Sequence, residues 1–385
     1  MMSPGRPSPS LSSSALRRGL AAAGLAFALV GAACSSSNTT PGAGASSSSS
    51  GGAGCESAPT LAKNDFCKSC TFSPNASPAA CKTPRVLNAC CAWVQAPTQE
   101  LARGTGLNRY PSDDPTIQLG CLDAPATAGA SQTVSLKGFL RVFSSGGDSA
   151  GGKIEIFKEG PDGALGEPIG TAVTVTADDA KNPPQTPKPE WLKKCPDGGC
   201  SFRSFTYEGV PTETPLIVKT SDASGGNQWS ELYEYNVYFS NDSVQNGAVT
   251  MDPAVVAATD INTIASAAGG FIVKPEKGLL AGEVHDCGDI RLSGATVDTD
   301  VAHEADMFYF GENESDPLPD RSRSSLGTSR LGLFGTLNVQ TGVPIRVSAV
   351  GKRNGETVLL GTYTVQTFPR AITAVVFRGR RPFQK

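Results

Sequence analysis

From about residue 130 onward the chain is written twice. Leu136-Lys137-Gly138-Phe139-Leu140 is answered by Leu280-Ala281-Gly282-Glu283-Val284. Ala150-Gly151-Gly152-Lys153-Ile154-Glu155-Ile156 is answered by Leu292-Ser293-Gly294-Ala295-Thr296-Val297-Asp298. Phe205, Val210 and Pro215 are answered at the same spacing by Phe334, Val339 and Pro344. Apolar and polar residues alternate through both copies and break at Gly, Pro, Asn and Asp, the pattern of half-buried strands. The alternation predicts strands over 133–143, 153–158, 169–176, 201–208, 214–220 and 232–239, then 278–286, 292–298, 306–310, 332–339, 343–350, 356–367 and 371–377. Between the copies, Asp252 as cap, Pro253 at the first position and Gly269-Gly270 at the end predict one helix. With 43 Gly, 28 Pro and 18% charged residues, the composition suits turn-rich β structure and not a helical bundle. The expected fold is mainly β, with two tandem antiparallel β-sandwich domains, 129–250 and 278–385, joined by a helical linker, 251–277.

The repeated residues carry a family resemblance. Gly282-Glu283-Val284-His285-Asp286, then Ser293-Gly294-Ala295-Thr296-Val297, then Leu333-Phe334-Gly335-Thr336-Leu337-Asn338-Val339 resembles the carboxypeptidase regulatory-like, transthyretin-type β-sandwich. The first copy follows the same order, with a Pro-rich insertion at 178–196. The resemblance implies a fold and a non-catalytic role in adhesion, sugar binding or docking. It brings no catalytic residues and no cofactor, and fold alone does not assign function.

The N-terminus reads as an export signal. Arg6, Arg17 and Arg18 precede a short apolar stretch from Leu20 to Val30, which closes on Gly31-Ala32-Ala33-Cys34. This looks like a bacterial lipoprotein leader, 1–33, with Cys34 as the lipidated first residue of the mature chain. A plain secretory leader cut after Ala33 is the alternative. Ser35, lacking an Asp at that position, points to the outer membrane, facing the periplasm or the exterior. Residues 34–54 are a Ser/Gly-rich tether, too poor in apolar side chains to form a core. The whole chain carries a formal charge of −3. Removing the leader takes away three arginines and no acids, which argues against nucleic acid as a partner.

Beyond Cys34, ten cysteines remain: Cys55, Cys67, Cys70, Cys81, Cys90, Cys91, Cys121, Cys195, Cys200 and Cys287. An even set in an exported chain reads as disulfides. Seven of them lie in a cysteine-rich module, 55–128. There Thr83-Pro84 opens a predicted helix with Val86, Leu87, Cys90, Cys91 and Val94 on one face. A zinc site from Cys67, Cys70, Cys90 and Cys91 is the competing reading, and it would need reduced thiolates.

Four other groups have residue types that carry chemistry. Gly147-Asp148-Ser149-Ala150-Gly151 fits the nucleophile-elbow pattern, but a strand pattern follows where an elbow needs a helix. A Gly-rich hairpin turn explains it better. His285 and Cys287 lie two apart on a strand, and Cys287 in a disulfide, with Cys121 as one partner, competes with a Cys-His pair. Acidic residues gather at Asp298, Asp300, Glu304 and Asp306, and again at Glu312, Glu314, Asp316 and Asp320, as a solvated face or a calcium loop. Trp229, Tyr233 and Tyr235 form a ligand-binding platform if exposed and a core if packed. The reading as a whole is a non-catalytic envelope protein without metal or cofactor, held to the membrane by lipid, with an envelope protein or polysaccharide as partner. A glycan-binding module is the alternative, followed by a serine hydrolase using Ser149.

Overall fold

A computed structural model describes residues 85–87, 93–104, 116–122, 127–143, 147–182, 201–299, 301, 303, 305–314 and 317–379. The expected leader, 1–33, and tether, 34–54, and Cys34, Cys55, Cys67, Cys70, Cys81, Cys90, Cys91, Cys195 and Cys200 lie outside them. The described residues are mainly β.

The first copy supplies β4 (Thr133–Val142), β5 (Gly152–Glu159), β6 (Leu165–Thr174), β7 (Arg203–Pro211), β8 (Leu216–Asp222), β9 (Trp229–Ser230), β10 (Leu232–Val237), β11 (Ala248–Thr250) and β12 (Ala254–Ala257). After the helix α1 (Ala258–Gly269), the second supplies β13 (Gly278–Val284), β14 (Leu292–Ser293), β15 (Thr296–Thr299), β16 (Phe308–Tyr309), β17 (Leu333–Val339), β18 (Pro344–Arg353), β19 (Glu356–Gln366) and β20 (Ile372–Phe377). Upstream are β1 (Arg85–Leu87), β2 (Trp93–Gln95) and β3 (Ala102–Arg103).

The two copies pair their strands in the same way. β4 lies between antiparallel β7 and parallel β11, and β13 lies between antiparallel β17 and parallel β20. β8 lies antiparallel between β5 and β10, and β18 antiparallel between β15 and β19. Gly138 faces Phe205 across one ladder, and Gly282 faces Phe334 across the other. A Cβ on Gly138 would overlap the Met251 carbonyl oxygen, and one on Gly282 the Val375 carbonyl oxygen. The repeated glycine therefore serves one physical need twice, the close approach of a neighbouring backbone.

The copies are joined edge to edge. β10 runs parallel beside β20, with Leu232 opposite Ile372 and Tyr235 opposite Val375. One eight-stranded sheet results, in the order β16-β17-β13-β20-β10-β8-β5-β6. A core including Leu136, Leu140, Ile154, Tyr207 and Leu216 fills the first copy. A second, including Tyr235, Leu280, Phe334, Val347 and Val375, fills the other. A third, on the opposite face of the second copy's part of the large sheet, takes Leu279, Leu333, Leu337 and Ile372 with Ile261 and Ala265 of α1. β17 is covered on both faces and buried at every residue, so it reads as a continuous run. β7 is covered on one face, and Phe205 and Tyr207 go in while Thr206 and Glu208 stay out.

Two sequence expectations fail for identifiable reasons. The helix predicted from Asp252 starts only at Ala258, because residues 248–250 and 254–257 add as parallel strands beside β4. Asp252 does not cap: its Oδ1 accepts the Phe139 N–H at 2.9 Å. The helix end is as the glycines require, with Gly270 at φ 77° donating to Ala265 and Ser266 carbonyls. The helix predicted after Pro84 is instead the antiparallel pair β1–β2. Val86 and Val94, eight residues apart and hence on one helix face, are direct cross-strand partners. Val94 is fully buried with Val350, and Gln95 O accepts from Thr296 Oγ1 at 2.6 Å. Tertiary burial overrides a short periodic signal here.

The copies also meet where residues 159–165 lie beside β19. Tyr235 Oη donates to Gly163 O at 2.8 Å, and a Cβ on Gly163 would crowd Thr364 O. Beside them Glu159 Oε2 is buried without a hydrogen-bond partner, and burial pushes its carboxyl up to about 7 from the ordinary 4.5.

Gly138→Ala and Gly282→Ala should each lose about 1–3 kcal/mol of stability, the usual range for overpacking. Gly120→Ala, with no atom within 4 Å of its Cβ position, is the control, and urea melts of the three variants measure the difference. Glu159 favours its neutral form in the folded chain, so its burial costs nothing below pH 4.5, costs progressively more up to pH 7, and is constant above. Glu159→Gln should therefore stabilise by about 1–3 kcal/mol at pH 8 and by almost nothing at pH 4, read from melts at both pH values.

Candidate functional site: a cleft over the shared sheet

The face of the large sheet that carries the third core is not fully covered. Its side chains form rows across the strands. Leu232, Ile372, Leu279 and Leu337 make one row. Glu234, Ala374, Ala281 and Gly335 make the next, and Val376, Glu283 and Leu333 the third. Three neighbours in the middle row, Ala374, Ala281 and Gly335, are small, so the floor is sunken beside Glu234. The Phe308 ring sits over Gly335, where a Cβ would come within 2.8 Å of it. Phe139 of β4, Phe143 just after it, Val256 of β12, Phe308, Phe310, and Ile261 and Ile264 of α1 line the space. The cleft has a volume of about 590 Å³, within the ~300–1,000 Å³ of small-molecule sites.

Charged groups gather at one part of its lining. Glu283 occupies the inward position of β13 just before the strand ends at the turn 285–291, where Asp289 takes φ 61°. His285 is buried between two carboxylates, Nε2 to Glu283 at 2.7 Å and Nδ1 to Asp289 at 2.7 Å. Arg291 holds Glu283 through Nε at 3.1 Å and Nη2 at 2.8 Å, and Glu314 through Nη1 at 2.7 Å. Arg378 pairs with Asp289 at 2.8 Å. Burial pushes the Glu283 carboxyl up, but the Arg291 charge and the His285 bond outweigh it and hold Glu283 well below the usual carboxylate range. Burial raises Glu314, and Arg291 offsets that only in part. Glu314 Oε2 has no partner.

Behind this cluster the chain is fastened twice. Cys287 is disulfide-bonded to Cys121, across 166 residues. Asp286, 1% exposed, accepts from Arg103 Nε at 2.7 Å, from Gln118 N at 3.0 Å, and from the Gly288 and Ile290 amides of its own turn. Cys287 is therefore a cystine, and His285 is bonded to carboxylates and not to a thiolate.

The other groups singled out from the sequence lie elsewhere. Ser149 is fully buried, and its Oγ accepts the Arg203 N–H at 2.8 Å. Asp148 pairs with the Arg203 guanidinium, which also donates to Ala177 and Asp179 carbonyls. The segment is a turn clasped by one arginine. His303 bonds Asp298 at 3.0 Å and the Ala305 carbonyl at 2.6 Å. Glu312 faces Arg323 and Arg330, and Asp320 caps residues 321–325. Among the described residues no group of three or more His, Cys, Asp or Glu is placed to hold a metal ion.

The exposed aromatic platform is corrected: Trp229, Tyr233 and Tyr235 are 7%, 5% and 0% exposed. Tyr233 and Tyr235 do share a face, and that face is core. Tyr233 stacks on Phe368 at 4.1 Å between ring centroids. The residues that shape the cleft floor, Ala281, Ala374 and Gly335, went unnoticed in the sequence. Their one signal is a small residue between large ones two positions away, as in Leu279-Ala281-Glu283, Leu333-Gly335-Leu337 and Ile372-Ala374-Val376.

Arg291→Leu should destabilise by about 3–5 kcal/mol, because it leaves buried carboxylates uncompensated, whereas Glu314→Gln should cost about 1 kcal/mol, an ordinary hydrogen-bond difference. Urea melts give both numbers, and equal losses would show that Arg291 is not the centre of the network. No protein-family model matches this chain, and no curated protein sequence matches it.

Proposed function

We propose that this chain is an exported, lipid-anchored envelope protein that binds and does not catalyse, and that the cleft over the shared sheet is its binding site. The observation that carries the reading is the cleft itself, a largely apolar space in which Glu283, His285, Asp289, Arg291 and Arg378 are bonded to one another. In this reading each copy is a transthyretin-type sandwich. The matching pairings around β4 and β13 and around β8 and β18, with two distinct cores, support that. A Cys34 lipid and the 34–54 tether would hold the pair at the outer membrane, where an envelope protein or polysaccharide is the macromolecular partner. The glycan-binding alternative needs Trp229, Tyr233 and Tyr235 at the surface, and they are packed inside. The hydrolase alternative needs a reachable Ser149 hydroxyl, which is buried and bonded to a backbone amide.

Cells fed an alkynyl fatty acid should label the native chain, and Cys34→Ala should lose the label and leave the membrane fraction. Label retained by Cys34→Ala would refute the anchor. Crosslinking in intact cells should capture one reproducible partner with the native chain and lose it with Cys34→Ala. Reaction of the native chain with a serine-directed fluorophosphonate, abolished in Ser149→Ala, would refute the non-catalytic role.

A further inference from the structure

We propose that the cleft takes an uncharged, mostly apolar small molecule ending in a hydrogen-bonding group; this rests on the reading of the cleft as the binding site. Three observations carry it. Much of the lining is apolar or aromatic, and the small residues Ala374 and Ala281 leave room beside the Phe308 ring for a body thinner than the side chains around it. Affinity in such a space comes from apolar area removed from water.

The second observation is the state of the charged groups. All three nitrogens of the Arg291 guanidinium are engaged, by Glu283 and Glu314. Both Glu283 oxygens are engaged, by Arg291 and His285. One Asp289 oxygen serves both His285 and Arg378. A charged head set among these groups would compete with the pairs already made, and any pair it broke would leave a partner uncompensated in a buried place. A neutral hydroxyl or carbonyl needs only a remaining N–H or lone pair, and Arg291 has five N–H groups for three bonds.

The third is balance. The lining holds four carboxylates, Glu234, Asp252, Glu283 and Asp289, against three guanidiniums, Arg141, Arg291 and Arg378, so neither sign is in large excess to select an ion. A nucleotide, an acidic peptide or a free fatty acid is thereby disfavoured against a long-chain alcohol, a quinone or a neutral glyceride of similar apolar size.

The test uses the full-length chain with N-phenyl-1-naphthylamine as an uncharged fluorescent probe, displaced by 1-decanol, decanoate or decylammonium. The expected result is saturable probe binding, displacement by 1-decanol, and competition by the two ions weaker by about tenfold or more, which is about 1.4 kcal/mol. Ala281→Phe fills the sunken floor, and Ile264→Trp narrows the space from the helix side. Each should weaken 1-decanol by about tenfold or more, and having two variants on different elements guards against one failing to fold. Decanoate or decylammonium competing as well as 1-decanol overturns the neutral-ligand inference and leaves the cleft as a binding site. Undiminished 1-decanol binding in both variants, each with a native melt, places the site elsewhere and overturns the cleft reading as well. No saturable binding of probe or alcohol by the native chain overturns the inference alone, since the macromolecular partner is tested separately by crosslinking.

Discussion

The parallel pairing of β10 with β20 is the contact on which the rest of the structure depends. Only four residue pairs make it, from Leu232 with Ile372 to Tyr235 with Val375. It removes a free edge from each copy, and unpaired edges are what sheet proteins must cover. It also merges two small sheets into one of eight strands. Because successive side chains on a strand point to opposite faces, one pairing serves several layers. Tyr233 and Tyr235 go into the second copy's core, while Leu232 goes to the opposite face with α1. The cleft floor is that opposite face, drawn from β10, β20, β13 and β17 together. Neither copy contains it alone.

The charged cluster beside the cleft is held by a second constraint, the turn between β13 and β14. Asp286 ties that turn to Arg103 and Gln118, and the Cys121–Cys287 disulfide ties it to the upstream segment. Gly379 lies so near the Cys121 sulfur that a Cβ there would overlap it. The upstream segment, the second copy and the chain's last described residues thus converge on one corner. Buried charges of this kind are weak contributors to net stability, since desolvation offsets their attraction. Their value lies in geometry: Glu283, His285 and Arg291 have few alternative arrangements that keep every partner.

Much of the fold is legible in the residues. Alternation over 133–142 and 203–211, and Gly-Pro-Asn-Asp breaks between strands, place the β elements within a few positions of their observed bounds. The duplication is also legible, since Gly138 and Gly282, with Phe205 and Phe334, answer a shared packing need. The failures have a common cause. Val86 with Val94, and Val255 with Val256, satisfy helical spacing or a helix start locally, yet Val94 is buried against Val350 and Val255 is claimed by β4, both remote in sequence. The aromatic strand 229–235 shows the same ambiguity from the other side. A period of two says which residues share a face and not whether water or protein covers it.

Strand positions, turn residues and the repeat follow from the order of amino acids, because backbone preferences and hydrophobic period act over a few residues. Which edges meet, which face of β13 and β20 is left partly open, and which carboxylates surround His285 are decided only in three dimensions. The first two depend on contacts between residues more than a hundred positions apart, such as Leu232 with Ile372, while Glu283 and Asp289 are near His285 in sequence and meet it through a turn that the Cys121–Cys287 disulfide fastens. Burial, which makes a small residue a cavity floor or a charged one an ion pair, does not exist until those contacts form.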